Sequence, residues 1–293
     1  MVWDRGMATV LGTPTADGLV EVLDALRAWQ DDDGPFQLHP GDVGWFGRLG
    51  ATATAAAVRT WRSDGRLVAV GLLDGPDVLR LALAPQAPGD AGLAARLVDD
   101  VRPGHGVLPA GEASVEVPPG ALLDDLLRDD GWSAGERWTL LRRDLAAPVP
   151  RPALLVEVVG PDAAAAWTSV LRSAFDGSTA AVDRWHAMAG GPAAADARCL
   201  LGRDERGEAV AVVTVWSAGP GRPGLVEPMG VHPDHRGRGH GTAVTLAGAG
   251  VLRELGASSA LVATPSANAG AVATYVAAGF RRLPERRDRH RDA

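Results

Sequence analysis

The segment Arg236-Gly-Arg-Gly-His-Gly-Thr242 puts two guanidinium groups and three glycines into one short stretch, the composition of a backbone cradle for a diphosphate. Without a Cβ, Gly237, Gly239 and Gly241 let the chain take positive φ and bring successive N–H groups against an anion. A helix starting at about His240 would point its positive end at the same spot, with Thr242 in its first turn, while Arg236 and Arg238 add formal charge. Two better-known phosphate sites are excluded. A nucleotide P-loop needs Gly-Lys-Ser/Thr here, and a dinucleotide fold needs its glycines to open a βαβ unit with an acid about 20 residues on. Neither context is present.

Asn268 and Tyr275 lie downstream, seven residues apart, so on a helix they share one face two turns from each other and can address one ligand. Alternatively, Asn268 simply caps its helix, and Tyr275, the single tyrosine of the chain, is a core aromatic with a satisfied hydroxyl. Upstream, Glu227 stands four residues before Val231, an even separation that puts both on one face of a strand. A carboxylate there could take the proton from an attacking amine, directly or through water; the alternative is a glutamate turned to solvent or paired with arginine. His232, Asp234, His235 and His240 crowd the same loop at spacings that suggest a metal, but an anion loop argues against a cation, and no metal is expected. Cys199 reads as a small apolar strand residue with no thiolate-stabilising neighbour.

The elements that must position these residues are legible from periodicity. Strand signals fall at 154–159, 197–204, 209–216 and 224–231, and helical periodicity at 162–175, 179–189, 240–254 and 268–278, with an apolar run at 258–265. The pattern also occurs earlier. Gly65-Arg-Leu-Val-Ala-Val70 recurs as Gly207-Glu-Ala-Val-Ala-Val212, the run 81–85 lies against 229–233, and Gly131-Trp132 matches Gly279-Phe280. Duplication follows, with a boundary in the proline-rich stretch 146–152 and domains at 1–147 and 148–293. The first copy opens with a helix over 15–30. Its anion loop has decayed: Pro88 stands where Arg236 does, Asp90 for Arg238, Ala91 for Gly239 and Leu93 for Gly241. Each change opposes diphosphate binding, so this copy is expected to be structural and to contribute a wall of the acceptor site. After Gly279-Phe280 the tail 281–293 is too polar for a last buried strand. Either the second copy lacks that strand, or another segment fills the place; supply from a partner chain would make a homodimer.

Composition narrows the chemistry. The chain has 293 residues, 46% of them hydrophobic, enough for two domains with their own cores. A formal net charge of −7 argues against a sequence-independent grip on nucleic acid or an anionic membrane. The apolar run 209–216 is too short to span a bilayer, and the first twelve residues lack the basic start and apolar core of a signal peptide, so a cytoplasmic protein is expected. One cysteine allows no internal disulfide. All 29 basic residues are arginine; Schiff-base chemistry, pyridoxal phosphate anchoring and lysine-dependent phosphoryl transfer are therefore excluded. The Ala, Gly, Pro and Arg richness suggests a GC-rich bacterial genome.

Arg236-x-x-Gly239-x-Gly241 after the strand 225–231 and Pro233, followed by an apolar strand, Asn268, Tyr275 and Gly279-Phe280 in this order, resembles the GNAT superfamily of N-acyltransferases. The resemblance implies an α/β (α+β) fold of two tandem GNAT-like domains, each a mixed, mostly antiparallel twisted sheet flanked by helices. The first domain would be degenerate, an outline similar to that of mycothiol synthase. It implies acetyl-CoA as co-substrate, cradled at 236–242 and touched by Asn268. Backbone groups of Met229 and Val231 would pair with pantetheine, one N–H polarising the thioester carbonyl. Tyr275 would be the general acid that protonates the leaving thiolate. The segment 173–188, with Phe175, Asp176, Trp185 and His186, matches the acceptor-side helices; a Ser178 or Thr179 helix cap is the plain alternative. The expected activity is transfer of an acetyl or other acyl group to a primary amine, on a small molecule or a peptide. A CoA-binding sensor that has lost turnover is the rival reading, and a mycothiol-synthase-like enzyme with a cysteinyl sugar acceptor is a third.

Overall fold

A computed structural model describes residues 9–293; the first eight residues, which carry much of the leader-peptide reading, lie outside it. In chain order the elements are β1 (Val10–Gly12), α1 (Leu19–Ala28), α2 (Pro40–Phe46), α3 (Ala51–Ala57), β2 (Val58–Ser63), β3 (Arg66–Leu73), β4 (Val78–Leu83), α4 (Ala91–Val101), β5 (Ala113–Glu116), α5 (Leu122–Asp129) and β6 (Ser133–Asp144). There follow β7 (Leu155–Val158), α6 (Ala164–Ala174), α7 (Val182–Ala189), β8 (Ala197–Arg203), β9 (Ala209–Trp216), β10 (Gly224–Val231), α8 (His240–Glu254), β11 (Ser259–Pro265), α9 (Ala269–Ala277), β12 (Arg281–Arg282) and β13 (Arg286–Arg291). No helix among the described residues is long and apolar enough to cross a membrane.

Two compact units result. The first comprises the described residues up to His39, Ala51–Arg137 and Arg286–Ala293; the second comprises Pro40–Gly50 and Trp138–Glu285. The proline-rich stretch 146–152 lies inside the second unit, with Val149 against its core.

Strand order in the first unit is β1-β2-β3-β4-β5-β13, and in the second β7-β8-β9-β10-β11-β6. The orders correspond position by position, and in each unit the one parallel pair is the same: β4 with β5, β10 with β11. Both copies also stop their last helix alike. Gly131 (φ 95°) and Gly279 (φ 81°) take the left-handed conformation, and the N–H of the aromatic after each returns to the carbonyl five residues back, Leu127 and Tyr275. The expected architecture is the one observed.

The final strands are exchanged. The place beside β11 is filled by β6, which pairs antiparallel with it from Trp138 to Asp144, and the place beside β5 by β13. The tail is therefore a strand after all, despite its polarity, and no partner chain is needed to supply one. Its inward-facing charges are paired locally. Arg286 is 6% exposed and lies 3.1 Å from Glu116, which also takes Arg80 at 3.1 Å. Arg289 forms a fork on Asp124 at 2.7 and 2.5 Å, and Arg291 donates to the carbonyls of Val101, Pro109 and Gly111 with its guanidinium 4.8 Å over the Trp132 ring.

In the second unit β9 is buried along nearly its whole length, which is why its sequence is an unbroken apolar run rather than an alternating one. The helix α8 rides close on it, and a Cβ at Gly248 would stand 2.9 Å from Val215 Cγ1.

Candidate functional site

The site grows from the end of β10. That strand pairs with β11 only at Gly224/Ala260 and Leu225/Leu261, so beyond Leu225 the two parallel strands part. On its other side β10 stays paired with β9 as far as Val231, and the N–H of His232 continues the ladder to the Val210 carbonyl at 2.9 Å. Antiparallel bonding alternates, so the hydrogen-bonded positions 232 and 230 turn their backbone groups to β9, and those of Val231 and Met229 turn into the gap.

The register slips between Val226 and Met229, a β-bulge that holds Glu227 and Pro228. With an extra residue in the strand, even spacing by itself no longer decides whether Glu227 and Val231 share a face. Pro228 lines a cavity on the α6–α7 side of the sheet. The Glu227 charge acts on Tyr275, and its carbonyl accepts the Trp216 indole N–H at 2.8 Å.

After β10 the chain turns through a short 3₁₀ stretch, Pro233–His235, into the glycine loop. Gly237 and Gly239 have φ of 76° and 80°, the left-handed region, with open space where a Cβ would stand. Gly241 has a different reason. It is already helical, and a Cβ there would lie 3.1 Å from Thr274 Cγ2 and 3.4 Å from Val231 Cγ2, so glycine lets α8 approach both β10 and α9. The helix begins at His240 with no side-chain cap, leaving its first N–H groups without an intrahelical partner. Burial, followed by the neighbouring charges of His235 and Arg238, holds the His240 imidazole below its usual range.

Of the two arginines, only Arg238 is turned out without a protein partner among the described residues. Arg236 folds back, donating to the Ala174 carbonyl at 3.0 Å and to Val231 O at 3.4 Å. Its first effect is thus to tie the end of α6 to the end of β10, not to present a free charge. The corresponding helix of the first unit, α4, is closed: the Asp90 carboxylate accepts from Leu93 N–H at 3.0 Å, and the Leu93 side chain is buried.

Asn268 is exposed and caps α9, accepting from Ala271 N–H at 3.1 Å. Tyr275 is buried in the core of this unit with its ring 6.0 Å from that of Phe280. The pair keeps its seven-residue spacing, but one member binds backbone at the surface while the other packs inward. Burial, reinforced by the Glu227 charge, raises the Tyr275 phenol above its ordinary value, so the hydroxyl keeps its proton.

Among the loop's metal-capable side chains, His235 gathers with Asp204 and Glu208, their ligand atoms within 4.8 Å of one another. Asp204 is already engaged there, its Oδ1 accepting from the N–H groups of Arg206 and Glu208. The Cys199 thiol is pushed up to about 11 by burial, which leaves it protonated.

The cavity beside Pro228 has a volume of about 320 Å³. From the segment 173–188 it takes Phe175, Asp176, Ser178, Thr179 and Trp185. His186 stays exposed, edge-on to Trp185. Ser178 accepts from Ala180 N–H at 3.3 Å, and α7 begins without a side-chain cap, so neither hydroxyl caps that helix. Sequence reasoning missed Trp45 and Arg48, which reach this wall from the chain's first third. Their segment docks because α2 presents glycine: a Cβ at Gly41 would stand 2.5 Å from the Trp216 side chain, and one at Gly44 closer still. Two glycines three apart beside Trp and Phe were the available signal.

The sequence profile of the Acetyltransferase (GNAT) family matches residues 165–280. Among curated proteins none matches the sequence. Among solved structures, the chain is similar to a GCN5-related N-acetyltransferase from Sphaerobacter thermophilus (TM-score 0.59, 18% identity, 99% of this chain and 96% of that one). It is also similar to a tandem GNAT protein from the clavulanic acid biosynthesis pathway (0.60, 19%, 97% and 98%) and to a GNAT-family acetyltransferase from Colwellia psychrerythraea (0.59, 14%, 98% and 100%). At these identities the likeness is one of fold.

Proposed function

Since the chain belongs, through residues 165–280, to the GNAT family of acetyltransferases, we propose that its second unit transfers an acetyl group from acetyl-CoA to a primary amine. The observation that carries this reading is the gap where β10 leaves β11, opening beside an uncapped helix end entered through two left-handed glycines. The residues fit the co-substrate. The first N–H groups of α8, with Arg238 beside them, suit a diphosphate, and a Cβ at either left-handed glycine would strain that turn. The inward backbone groups of Met229 and Val231 suit an amide-bearing arm. Asn268 would contribute through the helix end it caps.

Acetyl-CoA supplies an activated carbonyl on a thiol leaving group. The amine's lone pair forms the C–N bond, the C–S bond breaks with its electron pair passing to sulfur, and Tyr275 gives that sulfur a proton. The proton lost by the amine passes, directly or through water, to the carboxylate of Glu227, one residue from Pro228 at the cavity wall. A strand N–H directed at the carbonyl oxygen and the fixed placement of the amine contribute most of the acceleration. The first unit, whose matching helix end is closed by Asp90, is assigned a structural role.

Calorimetry of the full chain with CoA, together with thiol release from acetyl-CoA in the presence of amines, tests the reading. One CoA per chain and amine-dependent release are expected. Tight CoA binding without release for any amine would favour a sensor instead.

A further inference from the structure

The cavity beside Pro228 has a chemistry that acyl transfer alone does not dictate. At about 320 Å³ it suits a small molecule rather than a macromolecular surface. Trp45, Trp167, Trp185 and Phe175 stand in its wall, with Thr168, Ser178 and Thr179 among the polar residues between them. Trp167 is 2% exposed, and its indole N–H has no hydrogen-bond partner among the described residues. Leaving a buried donor unmatched is unfavourable. Because this one stands in a cavity wall, an oxygen of a bound molecule is its natural acceptor.

The charges in the wall are two guanidinium groups and one carboxylate. Arg48 holds its Cζ 4.6 Å over the Trp45 ring and donates through Nη1 to the Trp45 carbonyl at 2.8 Å, so its charge is fixed in the wall. Arg184 bonds the Thr179 hydroxyl and has no carboxylate partner among the described residues. Asp176 is exposed, and it too makes no ion pair.

A polyamine or a lysine side chain would bring positive charge against both arginines and leave the Trp167 donor unmatched. A neutral sugar would leave Arg184 without a counter-charge. A molecule with a flat or bulky apolar body, a carboxylate and an amine matches these groups best: the body beside the indoles, the carboxylate on Arg184 and the Trp167 N–H, the ammonium drawn in by Asp176. We propose that the acceptor is a small amine carrying a carboxylate on an aromatic or bulky apolar body, the chemistry of an aromatic amino acid. This rests on the acyl-transfer reading above and names its substrate class.

The test uses the full chain with CoA bound, titrated calorimetrically with L-phenylalanine, L-tryptophan, phenethylamine and spermidine. The aromatic amino acids should bind about tenfold or more tighter than phenethylamine, which lacks only the carboxylate, and spermidine should give no heat. With acetyl-CoA in place, thiol release should follow the same order in kcat/KM. Arg184→Gln should bring amino acid and phenethylamine to within about threefold of each other. Trp167→Phe deletes the N–H but also shrinks a buried side chain, so it should lower the melting temperature, and it should weaken the amino acids severalfold more than phenethylamine. Equal or better binding of phenethylamine or spermidine, a preference unmoved by Arg184→Gln, or no binding of either amino acid at millimolar concentration would overturn the proposal. Binding in the expected order without thiol release would uphold the ligand class and overturn the transfer reading. Transfer to spermidine with no preference for carboxylate would do the reverse.

Discussion

The indole N–H of Trp216 donates to the carbonyl oxygen of Glu227 at 2.8 Å, and the same Trp216 side chain is the surface on which Gly41 and Gly44 pack. One side chain therefore braces both the bulge of β10 and the segment Pro40–Gly50. Gly41→Val should push that segment off the indole at a cost of about 1–3 kcal/mol. Acceptor KM should rise while CoA affinity stays within a few-fold, and a melting curve beside CoA calorimetry checks both. An unchanged melting temperature and KM would mean that the segment is not held there.

Anion binding should depend on Arg238, the exposed arginine of the loop, more cleanly than on Arg236, which is engaged with carbonyls. Arg238→Glu should weaken CoA about tenfold or more, an effect that shrinks with added salt. Asp90→Ala should leave the stoichiometry at one CoA per chain. Two equivalent sites, or an affinity indifferent to Arg238→Glu, would remove the cradle assignment.

Tyr275→Phe deletes a hydroxyl and keeps the packing against Phe280. The rate constant kcat should fall about a hundredfold or more with CoA affinity within a few-fold. Burial and the Glu227 charge raise the phenol's pKa, so a wild-type profile should show no loss of the acid form as pH climbs through the ordinary tyrosine range. Wild-type turnover by the variant would make Tyr275 a packing residue alone.

The polar tail should be a structural strand. Burial by itself would raise the Glu116 carboxyl, but the charges of Arg80 and Arg286 outweigh it and hold the group below the usual range. The unfolded chain then takes up the proton first. Stability from this cluster is present above the ordinary glutamate range and is lost as pH falls toward the depressed folded value. Glu116→Gln leaves a buried arginine short of its partner, which costs about 3–5 kcal/mol, and should flatten the acid limb of a stability profile. A profile with the same acid slope as wild type would show that Glu116 does not anchor β13.

A fragment of residues 148–293 should fail to fold, since it lacks β6 and the Pro40–Gly50 segment and keeps β13 without its partner β5. Soluble fragment with full CoA affinity would count against the strand exchange.

The sequence alone determined the glycine loop, the order of strands and helices in the second copy, the duplication and the glycine–aromatic pair that closes each copy. These are local properties: a period of two or of 3.6 residues, a φ only glycine takes freely, a helix start. The decay of the first anion loop was legible for the same reason, and Asp90 now closes the helix end that the text of the motif had lost. Tertiary structure decided the rest. Two similar sheets offer two similar edges, so which copy receives which last strand depends on long-range pairing: Arg286 becomes tolerable only because Glu116, far away in sequence, meets it. Position in the chain likewise gave no hint that Trp45 and Arg48 reach the cavity beside Pro228. Strand parity could not place Glu227, because a bulge inserts one residue there, and counting along a chain cannot see an insertion that exists only relative to a neighbouring strand.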